Sequence, residues 1–69
     1  MIETGLYRHY KGGMYVVLYQ AKHSETMEDL VVYQDAIDAS KIWARPAEMW
    51  NEIVEVDGVK MKRFEKVED

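Results

Sequence analysis

The 69-residue chain has no cysteine, which excludes a disulfide scaffold, a zinc ribbon and a thiol nucleophile together. One proline and four glycines are too few for a Pro/Gly-rich linker, and there is no internal repeat or low-complexity stretch. Basic residues are the minority, 9 Lys+Arg against 13 Asp+Glu, for a formal charge of −4. That balance argues against bulk binding of duplex nucleic acid but leaves room for a local basic groove. No apolar run approaches the ~20 residues of a membrane span. The segment Met1-Ile2-Glu3-Thr4-Gly5 lacks the basic and apolar regions of a secretory signal, so the cytoplasm is the expected compartment. With neither disulfide nor structural zinc, stability must come from packing or from self-association.

What is present fits one small globular domain. Hydrophobic residues make up 48% of the chain and charged residues 32%, enough for a core and a solvated surface. Gly5 to Lys11 is mixed polar and aromatic and ends at Gly12-Gly13, a turn signal. Met14 to Lys22 carries the strongest strand signal, with Met14-Tyr15-Val16-Val17-Leu18-Tyr19 in one run. Alternation would put Tyr15, Val17 and Tyr19 on one face and Met14, Val16 and Leu18 on the other. Leu30 to Tyr33 begins a second strand, preferred over a helix across Glu25 to Tyr33 because Val31-Val32-Tyr33 is a poor helix triplet. Asp35 to Lys41 reads as loop and Ile42 to Arg45 as a short strand closed by Pro46. Pro46 can open a short helix as its first residue, with Met49, Trp50 and Ile53 packing as one ridge. Asp57-Gly58, between Val54-Glu55-Val56 and Val59-Lys60-Met61, is a type I′ hairpin signal.

The expected fold class is therefore mainly β: a small, strongly bent sheet or partly open SH3-like barrel of five to six short strands with one short helix. The expected organisation is a single small β-barrel domain over 1–69, ordered from about 5 to 64, with a frayed tail at 65–69. Two Trp, five Tyr and one Phe exceed what so small a core needs, so some should mark a binding or dimer face.

Several of these blocks together form a recognisable pattern: Gly5 to Gly13, Tyr15-Val16-Val17, His23-Ser24-Glu25-Thr26, Val31-Val32-Tyr33, Trp43-Ala44-Arg45-Pro46 with Met49-Trp50, and Arg63-Phe64. From about Gly5 to Phe64 the chain resembles a family of small bacterial domains known only as a domain of unknown function. The resemblance implies a compact β-rich domain and brings no reaction with it. Ala44 and Trp50 stand where the family pattern has valine and phenylalanine, and Ala36 to Ile42 lacks a glycine-rich turn.

His23-Ser24-Glu25 is not a catalytic triad, because neighbours on an extended chain point to alternate sides. His23 and Glu25 can still share a face, either as a ligand contact or as parts of a capped turn. His9 and His23 with carboxylates fit no short metal motif, and Gly12-Gly13 lacks the spacing of a phosphate loop, so no metal or cofactor is expected. The more informative set is cationic and aromatic. Tyr7, His9 and Lys11 alternate along the first segment, with Tyr15, Tyr33, Trp43 and Arg45 on later strands. Rings stack on planar groups, and Arg or Lys binds phosphate or carboxylate. Arg45, held extended between Trp43 and Pro46, has a pre-aimed guanidinium.

The sequence thus points to a recognition module that binds an anionic or planar ligand, nucleotide-like or single-stranded nucleic acid. Its expected ligand-binding residues are His9, Lys11, His23, Glu25, Tyr33, Trp43 and Arg45. The alternative is a protein-interaction or homodimerisation module, supported by the two-faced apolar strand; a His23/Glu25 hydrolase ranks last.

Overall fold

β-Branched and aromatic residues concentrate in the segments that become strands. A computed structural model describes residues 2–67. In chain order it contains β1 (Gly5–His9), β2 (Met14–Lys22), β3 (Asp29–Asp35), β4 (Ile42–Pro46), the single-turn helix α1 (Ala47–Trp50), β5 (Ile53–Val56), β6 (Val59–Lys62) and β7 (Phe64–Lys66). Five strands form one antiparallel sheet in the order β4-β3-β2-β1-β7, and β5 with β6 forms a separate hairpin. The mainly-β reading with one short helix holds, and so does the strand over the helix at Leu30 to Tyr33.

Three features differ from the sequence reading. The described strands number seven rather than five to six; β5 and β6 pair only with each other, and nothing joins edge strand β4 to edge strand β7, so the sheet stays open, within the bent-sheet or partly open barrel reading. Glu65 and Lys66, expected to fray, pair with β1 through Arg8↔Glu65 and Tyr7↔Lys66, while 68–69 lie outside the described residues. The buried ring of Phe64, opposite His9, anchors that strand, and flanking bonds from Tyr10 N–H to the Arg63 carbonyl and from Val67 N–H to the Leu6 carbonyl secure it. Finally, Pro46 is the last residue of β4 and the N-cap of α1, with ψ at 135°, rather than the first helical residue. Its extended ψ lets it pair with Leu30.

A bulge in β2 reassigns the faces. Val17 pairs with Tyr33, but Tyr19 pairs with Val32, so one extra residue, Leu18, is accommodated between them. Tyr19 therefore leaves the face of Tyr15 and Val17 and stands 67% exposed on the other side. The core consists of Tyr7, Val17, Val31, Tyr33, Trp50 and Phe64, all from the first face except Trp50, which α1 lowers onto it. Trp50, 2% exposed, stacks on Phe64 with centroids 3.7 Å apart and planes 2° from parallel. Tyr7 and Tyr33 meet the same indole edge-on at 5.3 and 5.0 Å. The expected Met49-Trp50-Ile53 ridge is reduced to Trp50 alone. Met49 is exposed, and Ile53 starts β5, 59% exposed, because the helix ends after a single turn at the Asn51 cap.

Candidate functional site

The register that builds the core also builds a second region on the same sheet face. Tyr7↔Tyr15, Val17↔Tyr33, Tyr33↔Trp43, Val31↔Arg45 and His9↔Phe64 are paired positions, so these side chains share one side of the sheet. α1 covers part of that side. Where the cover ends, Trp43 is 41% exposed, and Tyr15, His9 and Arg45 are half-buried.

The aromatic members form a continuous cluster. Tyr15 contacts Tyr33, Trp43 and Phe64 edge-on at 5.6, 5.9 and 5.9 Å. Trp43 lies tilted against Tyr33 at 5.5 Å. The Arg45 guanidinium sits 5.6 Å from the centre of the Phe64 ring, a cation–π distance. None of the ion pairs among the described residues involves Arg45. Arg63, by contrast, is paired with Glu52 at 3.1 Å and also lies 5.9 Å from the Tyr10 ring.

His9 packs between Tyr10 at 4.5 Å and Phe64 at 4.9 Å. Its Nδ1 accepts the backbone N–H of Lys11 at 3.1 Å, which leaves Nε2 as the protonated nitrogen of the neutral ring. Burial, and then the charges of Arg63, Arg45 and Lys11, hold the imidazole below its usual pKa. Three cations thus converge on one half-buried histidine inside a chain of net negative charge.

Of the residues expected from sequence, His9, Lys11, Tyr33, Trp43 and Arg45 belong to this region. Tyr33 contributes from beneath, as a buried core ring, and Lys11 from the exposed β1–β2 turn, with its ammonium 5.8 Å from the Tyr10 ring. His23 and Glu25 are not brought to it. They lie in the β2–β3 turn, beyond Lys22↔Asp29, and β2 carries that end about 23 Å from Tyr15 at ~3.3 Å per residue. There His23 Nδ1 accepts the N–H groups of Glu25 and Thr26 at 3.1 and 3.3 Å, so the imidazole closes the turn. Tyr10, Arg63 and Phe64 were missed as site residues. Their signal lay in the Gly5–Gly13 and Arg63-Phe64 blocks, but only the pairing of β7 with β1 brings those blocks together.

Among the described residues no three His, Asp or Glu side chains converge as a metal site, and no helix is long and apolar enough to cross a membrane. The fold and this face define a small mainly-β domain that presents cations among aromatic rings on an open sheet. The chain belongs to the family described as Protein of unknown function (DUF1653), whose model matches residues 5–66. It is similar to the crystal structure of a DUF1653 protein from Bordetella bronchiseptica, with 37% identity over 96% of this chain and 87% of that one, and a TM-score of 0.85. No curated protein matches the chain.

Proposed function

We propose that this domain is a cytoplasmic recognition module that binds a planar, anionic ligand, nucleotide-like or a short single strand, across the face of His9, Tyr15, Trp43 and Arg45. The observation that carries this reading is the Arg45 guanidinium: half-buried against Phe64, beside the exposed rim of Trp43, and outside every ion pair among the described residues. A guanidinium so placed retains a free fork for a phosphate or carboxylate, and Trp43 with Tyr15 offers the stacking surface. Lys11 and Arg63 add positive potential at the same end of the sheet. No comparable support exists for hydrolysis by His23 and Glu25, since the His23 Nδ1 lone pair is already engaged by two backbone amides.

The test is chemical-shift mapping with adenosine monophosphate and a short single-stranded oligonucleotide, followed by the same titration of Arg45→Lys. Shifts should centre on Trp43, Arg45 and His9. Lysine keeps the charge but not the two-pronged geometry, so Arg45→Lys should weaken binding by about 1–3 kcal/mol with the fold intact. Equal affinities in the two proteins, or shifts confined to the β2–β3 turn, would remove the site.

A second reading, self-association, is favoured by the opposite face of the sheet. Leu6, Tyr19 and Ile42 are exposed there beside half-buried Val16 and Val32, and no layer of the described structure packs over them. The occupant under that reading is a second copy of the chain, whose identical patch of Leu6, Tyr19 and Ile42 would be buried in a two-fold pairing.

A further inference from the structure

We infer that Gly13 is a positioning residue of the Arg45 site, the bare seat that holds the Tyr15 ring between His9 and Trp43. This inference rests on the Arg45 face as a binding surface and adds to it the residue that keeps the surface continuous.

The two glycines of the β1–β2 turn are needed for different reasons. Gly12 has φ +102°, and a Cβ built on it would meet no atom within 4 Å, so its backbone conformation alone demands glycine. Gly13 is the reverse case. Its φ is not positive, so its conformation does not call for glycine. Yet a Cβ there would stand 3.1 Å from the Tyr15 hydroxyl oxygen and from Cε2, and 3.4 Å from Cζ. Carbon atoms in good contact lie about 3.5–4.0 Å apart, so the Tyr15 ring fills the room a side chain would need. Nor does the turn explain the second glycine. The Gly13 carbonyl accepts the His9 N–H at 2.7 Å, a bond that any residue can make.

The ring contacts show what this seat secures. Tyr15 lies edge-on to His9 at 6.4 Å and to Trp43 at 5.9 Å, and among the described residues it is the one ring that contacts both. His9 otherwise meets Tyr10 and Phe64, and Trp43 otherwise meets Tyr33. Phe64 and Tyr33 are buried, so half-buried Tyr15 is where the surface passes from His9 and Lys11 to Trp43 and Arg45. Phe64 and Tyr33 flank the ring at 5.9 and 5.6 Å, and Gly13 accommodates its hydroxyl end. With the backbone at Gly13 fixed by the His9 bond, a side chain there must displace the ring.

The experiment compares Gly13→Val, Gly13→Ala, Gly12→Ala, Tyr15→Leu and the double variant Gly13→Val with Tyr15→Leu, each checked for a native amide spectrum. Aromatic NMR resonances of Tyr15 and Trp43 report the place of the ring, and titration with adenosine monophosphate reports the site. Gly13→Val should move both sets of resonances and weaken the nucleotide several-fold, as Tyr15→Leu does. Gly13→Ala should do less of both, and carries the comparison if the valine variant does not fold. In the Tyr15→Leu chain, Gly13→Val should weaken binding no further, since no ring is left to displace. Gly12→Ala should lower the melting temperature through its strained φ and leave the rings and the affinity unchanged. Ring resonances that stay in place in both Gly13 variants overturn the seat. So does a loss of affinity in Gly13→Val that is undiminished when Tyr15 is leucine. A wild-type chain that does not bind the nucleotide, with the rings moved in Gly13→Val, removes the Arg45 reading and with it the role of Gly13 in binding, while the seat itself stands.

Discussion

Trp50 joins α1 to the sheet: its indole stacks on Phe64 and takes Tyr7 and Tyr33 on its edges. Truncating it opens a cavity in the middle of a six-residue core. Trp50→Ala should cost about 3–5 kcal/mol, close to the whole stability of so small a domain, so urea denaturation should show no cooperative transition. Trp50→Phe keeps the stack and removes the indole N–H, and should remain cooperatively folded in the same measurement. His9 gives a pH signature. Its imidazole is held below the usual value of 6.5 in the folded state, so the unfolded chain binds the proton more readily. Stability should therefore rise with pH between the folded-state value and about 6.5, then level off. His9→Gln should flatten that rise in chemical denaturation at pH 5 to 8. An unchanged slope would mean that another group carries it. At this scale the sequence revealed Trp50 as an anchor, because it is the largest apolar side chain on the short helix. The exposure of Met49 and Ile53 was hidden, since a four-residue helix has only one turn to bury.

Among the elements, the hairpin of β5 and β6 was the most legible. Asp57 and Gly58 have φ of 51° and 80°, positive at both central positions as a type I′ turn requires, and Val56 pairs with Val59 across them. Gly58→Val should destabilise by roughly 1 kcal/mol or more through the lost left-handed conformation, without altering ligand binding at the Arg45 face. A variant with an unchanged melting temperature would contradict the turn assignment. The β2 bulge and β7 were not legible. A bulge is a relation between two strands, and Met14 to Tyr19 is apolar at every position, so no pattern marks Leu18 as the extra residue. In β7 only Phe64 is apolar before Glu65-Lys66, too short a run to announce a strand until β1 is there to pair with it.

At the scale of the molecule, the sheet presents two unlike faces. One carries the core and the Arg45 region; the other exposes Leu6, Tyr19 and Ile42 beside the polar Arg8, Gln34 and Glu65. If the second face pairs with a copy of itself, sedimentation should show a dimer that dissociates on dilution. Tyr19→Lys, placing like charges across the two-fold, should shift it to monomer, and a monomer at every concentration would discard self-association. The site's composition was largely readable as residue types, but its assembly was not. His9 and Phe64 are 55 residues apart and meet only because β7 returns to β1, while His23, with the same chemistry, is carried to the far end. The central claim is that an anion belongs among Arg45, Lys11, Arg63 and His9. An anion there would offset the three cations that disfavour a charged imidazole, so binding should be linked to proton uptake by His9. The most direct measurement is the NMR titration of the His9 ring from pH 4.5 to 8, with and without saturating adenosine monophosphate. The midpoint should rise when the nucleotide is present, and affinity should fall as pH increases through it. A His9 midpoint that stays in place, with no shift at Trp43 or Arg45, would contradict the account.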